Sequence, residues 1–187
     1  KESHTYQNST LDYTSARLNS KFVFKYGRVE VRAKTPTGGG TWPAIWTLGA
    51  NINEVGNFHG DTYGDVGWPH CGELDIMEQY GNDKTKTTSA IHWNQIGGSH
   101  VYETDETPIS NIGSDFHVYS MEWSPSKIEF FVDDVKILEK VNDDTVPFDN
   151  EHYLLLNLAV GGTLGGDVPT NFSDQTFEID YVRVYKP

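Results

Sequence analysis

Short segments in which apolar and polar residues alternate dominate this chain, and no segment of convincing length shows a helical period. Alternation with a period of two is the pattern of a strand that buries one face. Many short strands joined by turns favour a two-sheet sandwich over a helical fold, and the 18 glycines fit such a turn-rich protein. The strand-like segments lie near residues 21–34, 43–48, 73–79, 87–93, 116–123, 127–132, 135–141, 152–159 and 176–186.

Two kinds of connection separate these segments. Asp133 and Asp134 lie between two strand-like runs, so they predict a hairpin turn. Residues 50–70 are rich in Gly, Asn and Asp and predict a long loop, as do residues 95–114. Long loops in a compact domain are often functional.

Residues 73–78, Glu-Leu-Asp-Ile-Met-Glu, place three carboxylates in one strand-like run. Acidic residues are depleted in strands, so their concentration here needs a reason. Regular alternation puts Glu73 and Asp75 on one face and Glu78 on the other. A β-bulge at Ile76 and Met77 would return Glu78 to the face of the other two acids, and bulges are common beside active sites.

Three acids on one face suit the hydrolysis of a glycosidic bond. With the bulge, we expect the α-carbons of Glu73 and Glu78 to lie roughly 13 Å apart, about four strand steps of ~3.3 Å. Side chains leaning toward each other across a saccharide would close this to about 5–5.5 Å, the spacing of nucleophile and acid/base in retaining glycosidases. The alternative is an exposed acidic edge strand, which the apolar residues between the acids disfavour.

The stretch from Trp68 to Glu78 resembles the active-site signature of glycoside hydrolase family 16 in its bulged form, E-x-D-x-x-E. Endo-1,3-β-glucanases (laminarinases), β-agarases and κ-carrageenases carry this form, whereas lichenases and xyloglucan endotransglycosylases carry a form one residue shorter. Further segments that resemble the laminarinase branch are residues 13–21, 26–34, 40–49, 116–125 and 179–185. The resemblance implies an all-β jelly roll, a concanavalin-like sandwich of two antiparallel sheets with a concave substrate cleft.

The resemblance also implies a mechanism and a substrate. Glu73 is expected to be the nucleophile and Glu78 the acid/base, with no cofactor needed for catalysis. Asp75, charged and adjacent, is expected to keep Glu78 protonated and to orient Glu73. The favoured substrate is β-1,3-glucan of the laminarin type, cut internally. The alternatives are mixed-linkage glucan, agarose or carrageenan, with Arg17, Arg28 and Arg32 as the few cations for a sulfated chain, or a non-catalytic β-glucan recognition module on the same fold.

Strand phase and the resemblance together select candidates for substrate binding. An indole stacks on the apolar face of a pyranose and keeps an N–H free for a hydroxyl. The alternatives are core packing for the tryptophans, a structural hydrogen bond for the histidine and a solvated surface position for the arginine. The candidates are Arg17, Trp42, Trp46, Trp68, His92 and Asn157.

Asp180 on the last predicted strand is a candidate metal ligand. Many family members bind a structural Ca²⁺ there, using this aspartate and residues near the N-terminus. Ca²⁺ takes six to eight oxygen ligands. The alternative is an acid paired with a neighbouring Lys or Arg.

Composition restricts the partners. The formal net charge of −13 disfavours nucleic acid, because little basic charge is available to neutralise phosphates. The most apolar stretches, Trp42–Ala50 and Tyr153–Val160, are far shorter than the ~20 residues of a membrane span. The single cysteine, Cys71, rules out an internal disulfide and leaves the compartment undecided.

The 187 residues are expected to form one catalytic domain, secreted and monomeric. Family members usually have two or more strands upstream of the point where this chain starts. The opening strands of the family domain are therefore expected to be missing, and residues 1–187 alone are expected to be poorly soluble or inactive.

Overall fold

The structure is a computed structural model that describes residues 4–6, 9–95 and 97–187. Strands make up most of its regular structure: β1 (His4–Tyr6), β2 (Ser9–Leu11), β3 (Arg17–Asn19), β4 (Gly27–Lys34), β5 (Thr41–Gly49), β6 (Glu73–Glu78), β7 (Lys86–Asn94), β8 (His100–Pro108), β9 (His117–Trp123), β10 (Lys127–Val132), β11 (Val135–Val141), β12 (His152–Val160) and β13 (Glu178–Tyr185). The helices of the described residues are single turns, α1 (Gly60–Tyr63) and α2 (Gly162–Gly165). Neither is long and apolar enough to cross a membrane.

Two antiparallel sheets form the sandwich, and β1 and β2 pair as a separate hairpin. One sheet has the order β11-β10-β9-β4-β13, and the other has the order β3-β12-β5-β6-β7-β8. The predicted all-β sandwich of two antiparallel sheets is thus confirmed.

The main core lies between the sheets. In β4, the buried residues Val29, Val31 and Ala33 alternate with polar ones, and the pairing strand β9 contributes Tyr119 and Met121. The opposite sheet contributes a second set of apolar side chains to this core: Ile45, Leu74, Ile76, Met77, Ile91, Trp93 and Leu154. This alternation is the period-two pattern that the sequence shows.

A second, smaller apolar cluster lies where the segment after β5 packs on the six-stranded sheet. Its members are Leu48, Ala50, Ile52, Cys71, Tyr153 and Leu155, with Trp46 packed against them. The predicted loop over residues 50–70 is therefore attached to the sheet beside the acids of β6.

The prediction of a loop over residues 95–114 was wrong. Residues 95–114 contain β8, a nine-residue strand that pairs with β7 from Asn94↔His100 to Lys86↔Pro108. Most of its side chains are exposed or half-buried because it is an edge strand, so its sequence lacks the apolar run of a central strand. The strand predicted over 21–34 begins only at Gly27, and Phe24 before it makes one isolated bridge.

The hairpin turn at Asp133 and Asp134 is confirmed. Both residues have positive φ angles, 47° and 64°. Positive φ at both central residues is the geometry that joins two antiparallel strands through a two-residue turn, here β10 and β11.

Candidate active site

The bulge predicted in β6 is present. On the β5 side, Asp75 pairs with Trp46 and Met77 with Ile45, so Ile76 has no partner of its own there. On the β7 side, the register shifts between Asp75 and Glu78. Ile76 and Met77 are both fully buried in the core. The extra residue therefore lets the core take two successive apolar side chains while all three acids stay on the opposite face.

Each glutamate accepts a hydrogen bond from a tryptophan. The indole Nε1 of Trp68 donates to Oε2 of Glu73 at 2.9 Å. The indole Nε1 of Trp42 donates to Oε1 of Glu78, also at 2.9 Å. Trp68 lies in the turn before β6, as predicted, and Trp42 lies near the start of β5. The two acids are thus held from opposite ends of β6 by donors of the same kind.

A cavity of about 190 Å³ opens above these groups. It is lined by Trp42, Ala44, Trp46, Glu73, Asp75, Glu78, Asn157 and Ala159. The indole of Trp46 donates to Oδ1 of Asn157 at 2.7 Å, which fixes both side chains on its wall. Because Trp42 and Trp46 both line it, their predicted common face is confirmed.

His92 approaches the acids from β7. Its Nε2 lies 3.4 Å from Oδ2 of Asp75, and its register partner on β6 is Glu73. Burial lowers the pKa of His92 to about 4, so the imidazole is neutral near pH 7.

Arg17 reaches the site from the edge strand β3. Its guanidinium lies 5.0 Å from the ring centroid of Trp46, and its Nη2 donates to Oε1 of Glu54. Tyr153 donates its hydroxyl to the same carboxylate oxygen. Arg17 therefore covers one face of the Trp46 indole, and Glu54 fixes it there.

Burial controls the charges of the three acids. It raises the pKa of Glu73 to about 7, against the opposing effects of the Trp68 hydrogen bond and the Arg17 charge. Burial also raises the pKa of Glu78, and the Trp42 hydrogen bond opposes it. Asp75 is 3% exposed, and burial followed by the charges of Glu73 and Glu78 raises its pKa well above the usual range. Burial and the two neighbouring carboxylates therefore oppose the ionisation of Asp75, the charge state expected from the sequence.

The three comparisons with known proteins agree with this geometry. Residues 2–183 match the profile of glycosyl hydrolases family 16. The chain belongs to this family.

Solved family 16 structures superimpose closely on the chain. A LamA variant from Z. galactanivorans, solved with laminaritriose and laminaritetraose, is 55% identical. That comparison has a TM-score of 0.96 and covers 100% of this chain and 75% of the other.

Two curated relatives differ in their named activities. A β-glucanase from Rhodothermus marinus is 38% identical over 94% of this chain and 63% of its own length. A β-1,3-glucan-binding protein from Penaeus monodon is 39% identical over 81% of this chain and 48% of its own length. The chain therefore spans less than two-thirds of the length of either relative.

The calcium site that family 16 implies is not supported by the surroundings of Asp180. Asp180 lies on β13, in the sheet away from the acids, and Arg32 donates to its Oδ2 at 2.7 Å. Among the described residues, no group of three or more His, Cys, Asp or Glu ligand atoms within 4.8 Å of one another includes Asp180. The pairing with a neighbouring cation is the alternative that the sequence left open.

Cys71 takes no part in this family 16 site. Its side chain is fully buried, and burial, with the nearby Glu73 charge, raises the pKa of its thiol to about 12. The thiol is therefore protonated and packed in the smaller cluster.

Several contacts of the site were missed from the sequence. Glu54 lies within the predicted loop after β5, which offered only the general signal that long loops carry function. Tyr153 lies in an apolar strand, and its sequence context gave no sign of a polar role. His100 lies in the segment that was predicted to be a loop, so no strand phase was available to place it beside His92.

Proposed function

We propose that the chain is the catalytic part of a retaining endo-β-1,3-glucanase. The observation that carries this proposal is the bulge in β6, which presents Glu73, Asp75 and Glu78 to one cavity with an indole donor on each glutamate. A retaining glycosidase needs two carboxyl groups that flank the glycosidic bond.

In the proposed mechanism, Glu73 attacks the anomeric carbon while Glu78 donates its proton to the leaving oxygen. The glycosyl ester with Glu73 is then hydrolysed by water that Glu78, now ionised, deprotonates. Burial raises the pKa of both glutamates, and it is opposed at Glu73 by the Trp68 hydrogen bond and the Arg17 charge and at Glu78 by the Trp42 hydrogen bond. Burial, followed by the charges of Glu73 and Glu78, raises the pKa of Asp75 and so opposes a further negative charge between them.

The laminarin-type linkage is supported by the relatives. One solved relative binds laminaritriose and laminaritetraose, and a curated relative from Niallia circulans, 36% identical, is named glucan endo-1,3-beta-glucosidase A1. Sulfated glycans are disfavoured by the positions of the cations. Arg28 and Arg32 lie on β4 in the other sheet and are paired with carboxylates, so of the three arginines considered only Arg17 lies at the site.

The second candidate function is non-catalytic recognition of β-1,3-glucan, as the name of the Penaeus relative describes for that protein. The complete set of acids favours catalysis, because a binding surface gains nothing from one buried and two half-buried carboxylates whose charged forms are costly.

A reducing-sugar assay of the full-length protein on laminarin, lichenan, agarose and carrageenan tests the proposal. We expect most activity on laminarin, oligosaccharides of many lengths from the first minutes as the mark of internal cleavage, and β-configured products in proton NMR before mutarotation. Glu73→Gln and Glu78→Gln are the matched inactive controls. Binding to laminarin with no activity on any glycan would establish the recognition function instead, and an initial α anomer would refute the retaining mechanism.

We further propose that the enzyme is secreted and monomeric. Polymeric glucans do not enter cells intact, so an enzyme that cuts them internally works outside. Light scattering and activity in the culture medium test these two proposals. The family resemblance implies a calcium site at Asp180, but this residue offers a single carboxylate that is already paired with Arg32. We therefore expect that a chelator leaves the melting temperature unchanged.

A further inference from the structure

His100, the first residue of β8, contacts two side chains of the site at once. Its Nε2 lies 3.1 Å from Nδ1 of His92, and the two rings stack with centroids 5.3 Å apart. Its ring centroid is also 4.7 Å from that of Trp68. His100 itself is exposed at the sheet edge, so it lies between solvent and the site.

Trp68 and His92 are the residues that reach the acids on this side. Trp68 donates to Glu73 at 2.9 Å, and Nε2 of His92 lies 3.4 Å from Oδ2 of Asp75. We propose that His100 is a positioning residue that holds Trp68 against Glu73 and His92 against Asp75. This proposal rests on the proposed hydrolase function and adds a residue to it that touches none of the reacting atoms.

The direction of the His100–His92 hydrogen bond and the tautomer of His92 are linked. Neutral His92 has one N–H. If Nε2–H of His100 donates to Nδ1 of His92, the hydrogen of His92 must sit on Nε2, facing Asp75. Within the described part of the chain, Oδ2 of Asp75 is buried and has no hydrogen-bond partner, and Nε2 of His92 lies 3.4 Å from it. This arrangement supplies a donor to that oxygen, and an unsatisfied buried acceptor costs more than an ordinary hydrogen bond gains.

The Trp68 contact acts on the charge of Glu73. Because the Trp68 hydrogen bond lowers the pKa of Glu73, loosening Trp68 raises that pKa and moves the acidic limb of the pH–rate profile upward. Glu78 is held by Trp42 at the other end of β6, so His100 reaches its limb only indirectly, through the charge of Glu73. The other groups that face Glu73 and stay in place are Asp75 and Glu78 on β6, Arg17 on β3, Glu54 in the loop after β5, and Cys71.

Three substitutions separate the two contacts. His100→Ala removes both, His100→Phe keeps a ring against Trp68, and His100→Gln keeps an N–H for His92. Asp105→Asn is the matched control, since Asp105 lies on the same strand and, among the described residues, its carboxylate accepts a hydrogen bond only from the Glu106 amide. Each protein is assayed for kcat/KM on laminarin against pH. The indole N–H resonance of Trp68, assigned by its loss in Trp68→Phe, reports the bond to Glu73 without any turnover.

For His100→Ala we expect the acidic limb to move to higher pH, the alkaline limb to stay, the Trp68 resonance to shift, and kcat/KM below the optimum to fall about fivefold, the equivalent of one ordinary hydrogen bond. His100→Phe should preserve the Trp68 resonance, and His100→Gln should recover part of the rate. An unchanged acidic limb and Trp68 resonance in His100→Ala would overturn the proposal, as would an equal change of both limbs. If the unsubstituted protein cleaves no glycan, the hydrolase proposal fails and the resonance still decides the role of His100.

Discussion

The indole donors of Trp42 and Trp68 should control opposite limbs of the pH–rate profile. In Trp42→Phe, Glu78 loses an N–H donor at 2.9 Å but keeps most of the aromatic packing. A hydrogen bond to a charged group contributes about 1.5–3 kcal/mol. Since this bond favours the ionised carboxylate, losing the lower value, about 1.5 kcal/mol, favours the protonated form roughly tenfold, and the alkaline limb should move up by about one pH unit.

Trp68→Phe should act on Glu73 in the same sense but on the other limb. Burial raises the pKa of Glu73 to about 7 with Trp68 in place, so activity of the unsubstituted enzyme should fall as the pH drops through about 7. Removing the indole donor raises this pKa further. Trp68 is 48% exposed, so solvent replaces part of the lost bond and the acidic limb should move by less than about one pH unit.

The measurement is kcat/KM on laminarin between about pH 4 and 10, which reports the ionisations of the free enzyme. If Trp42→Phe moves only the alkaline limb and Trp68→Phe only the acidic one, then Trp42 acts on Glu78 and Trp68 acts on Glu73 as proposed. The opposite pairing would exchange the roles of nucleophile and acid/base. No movement of either limb would refute the claim that the indole bonds set the charges of the two acids.

Three further outcomes follow from the structure. With an activated aryl glycoside and azide, Glu73→Ala should give the α-glycosyl azide by one inversion and Glu78→Ala the β-azide by two, as NMR of the products would show; the reverse pairing would contradict the assignment. Burial lowers the pKa of His152 to about 3 in the folded protein, against about 6.5 in the unfolded chain, so its contribution to stability is present above pH ~6.5 and lost on acidification. In urea unfolding, His152→Gln should therefore lose less stability between neutral and acid pH than the unsubstituted protein. An unchanged dependence of stability on pH would exclude this residue as the cause. In Gly81→Ala the new Cβ would lie 1.9 Å from the Gly165 carbonyl oxygen, so thermal unfolding should show a loss of about 1–3 kcal/mol, and wild-type stability would mean that these loops yield freely.

Local sequence patterns were sufficient to predict how the three acids of β6 are arranged. The bulge was predictable because three acids and two successive apolar residues in a six-residue strand cannot all be satisfied by regular alternation. Trp68, five residues before Glu73, was placed correctly because the chain has little room to move it away from the strand it enters.

The polar partners of the site were not predictable in the same way. Glu54 meets Arg17, 37 residues earlier in the sequence, and Tyr153, 99 residues later. Such pairs depend on how a loop returns to the sheet, and no periodicity records that path. The burial of Asp75 was not predictable for a related reason, since its sequence neighbours do not show that it is 3% exposed.

The sequence by itself determined the strand periodicity, the three acids on one face of β6 and the common face of Trp42 and Trp46, because these depend on the backbone geometry of a single strand. Only the tertiary structure decided that β8 is a strand, that His100 stacks on His92 and Trp68, and that Arg17 covers Trp46. An edge strand obtains its hydrogen bonds from its neighbour and buries little apolar surface, so its own residues carry a weak signal. The contacts that set the charges in the site are made between strands, where sheet order and register bring distant residues together.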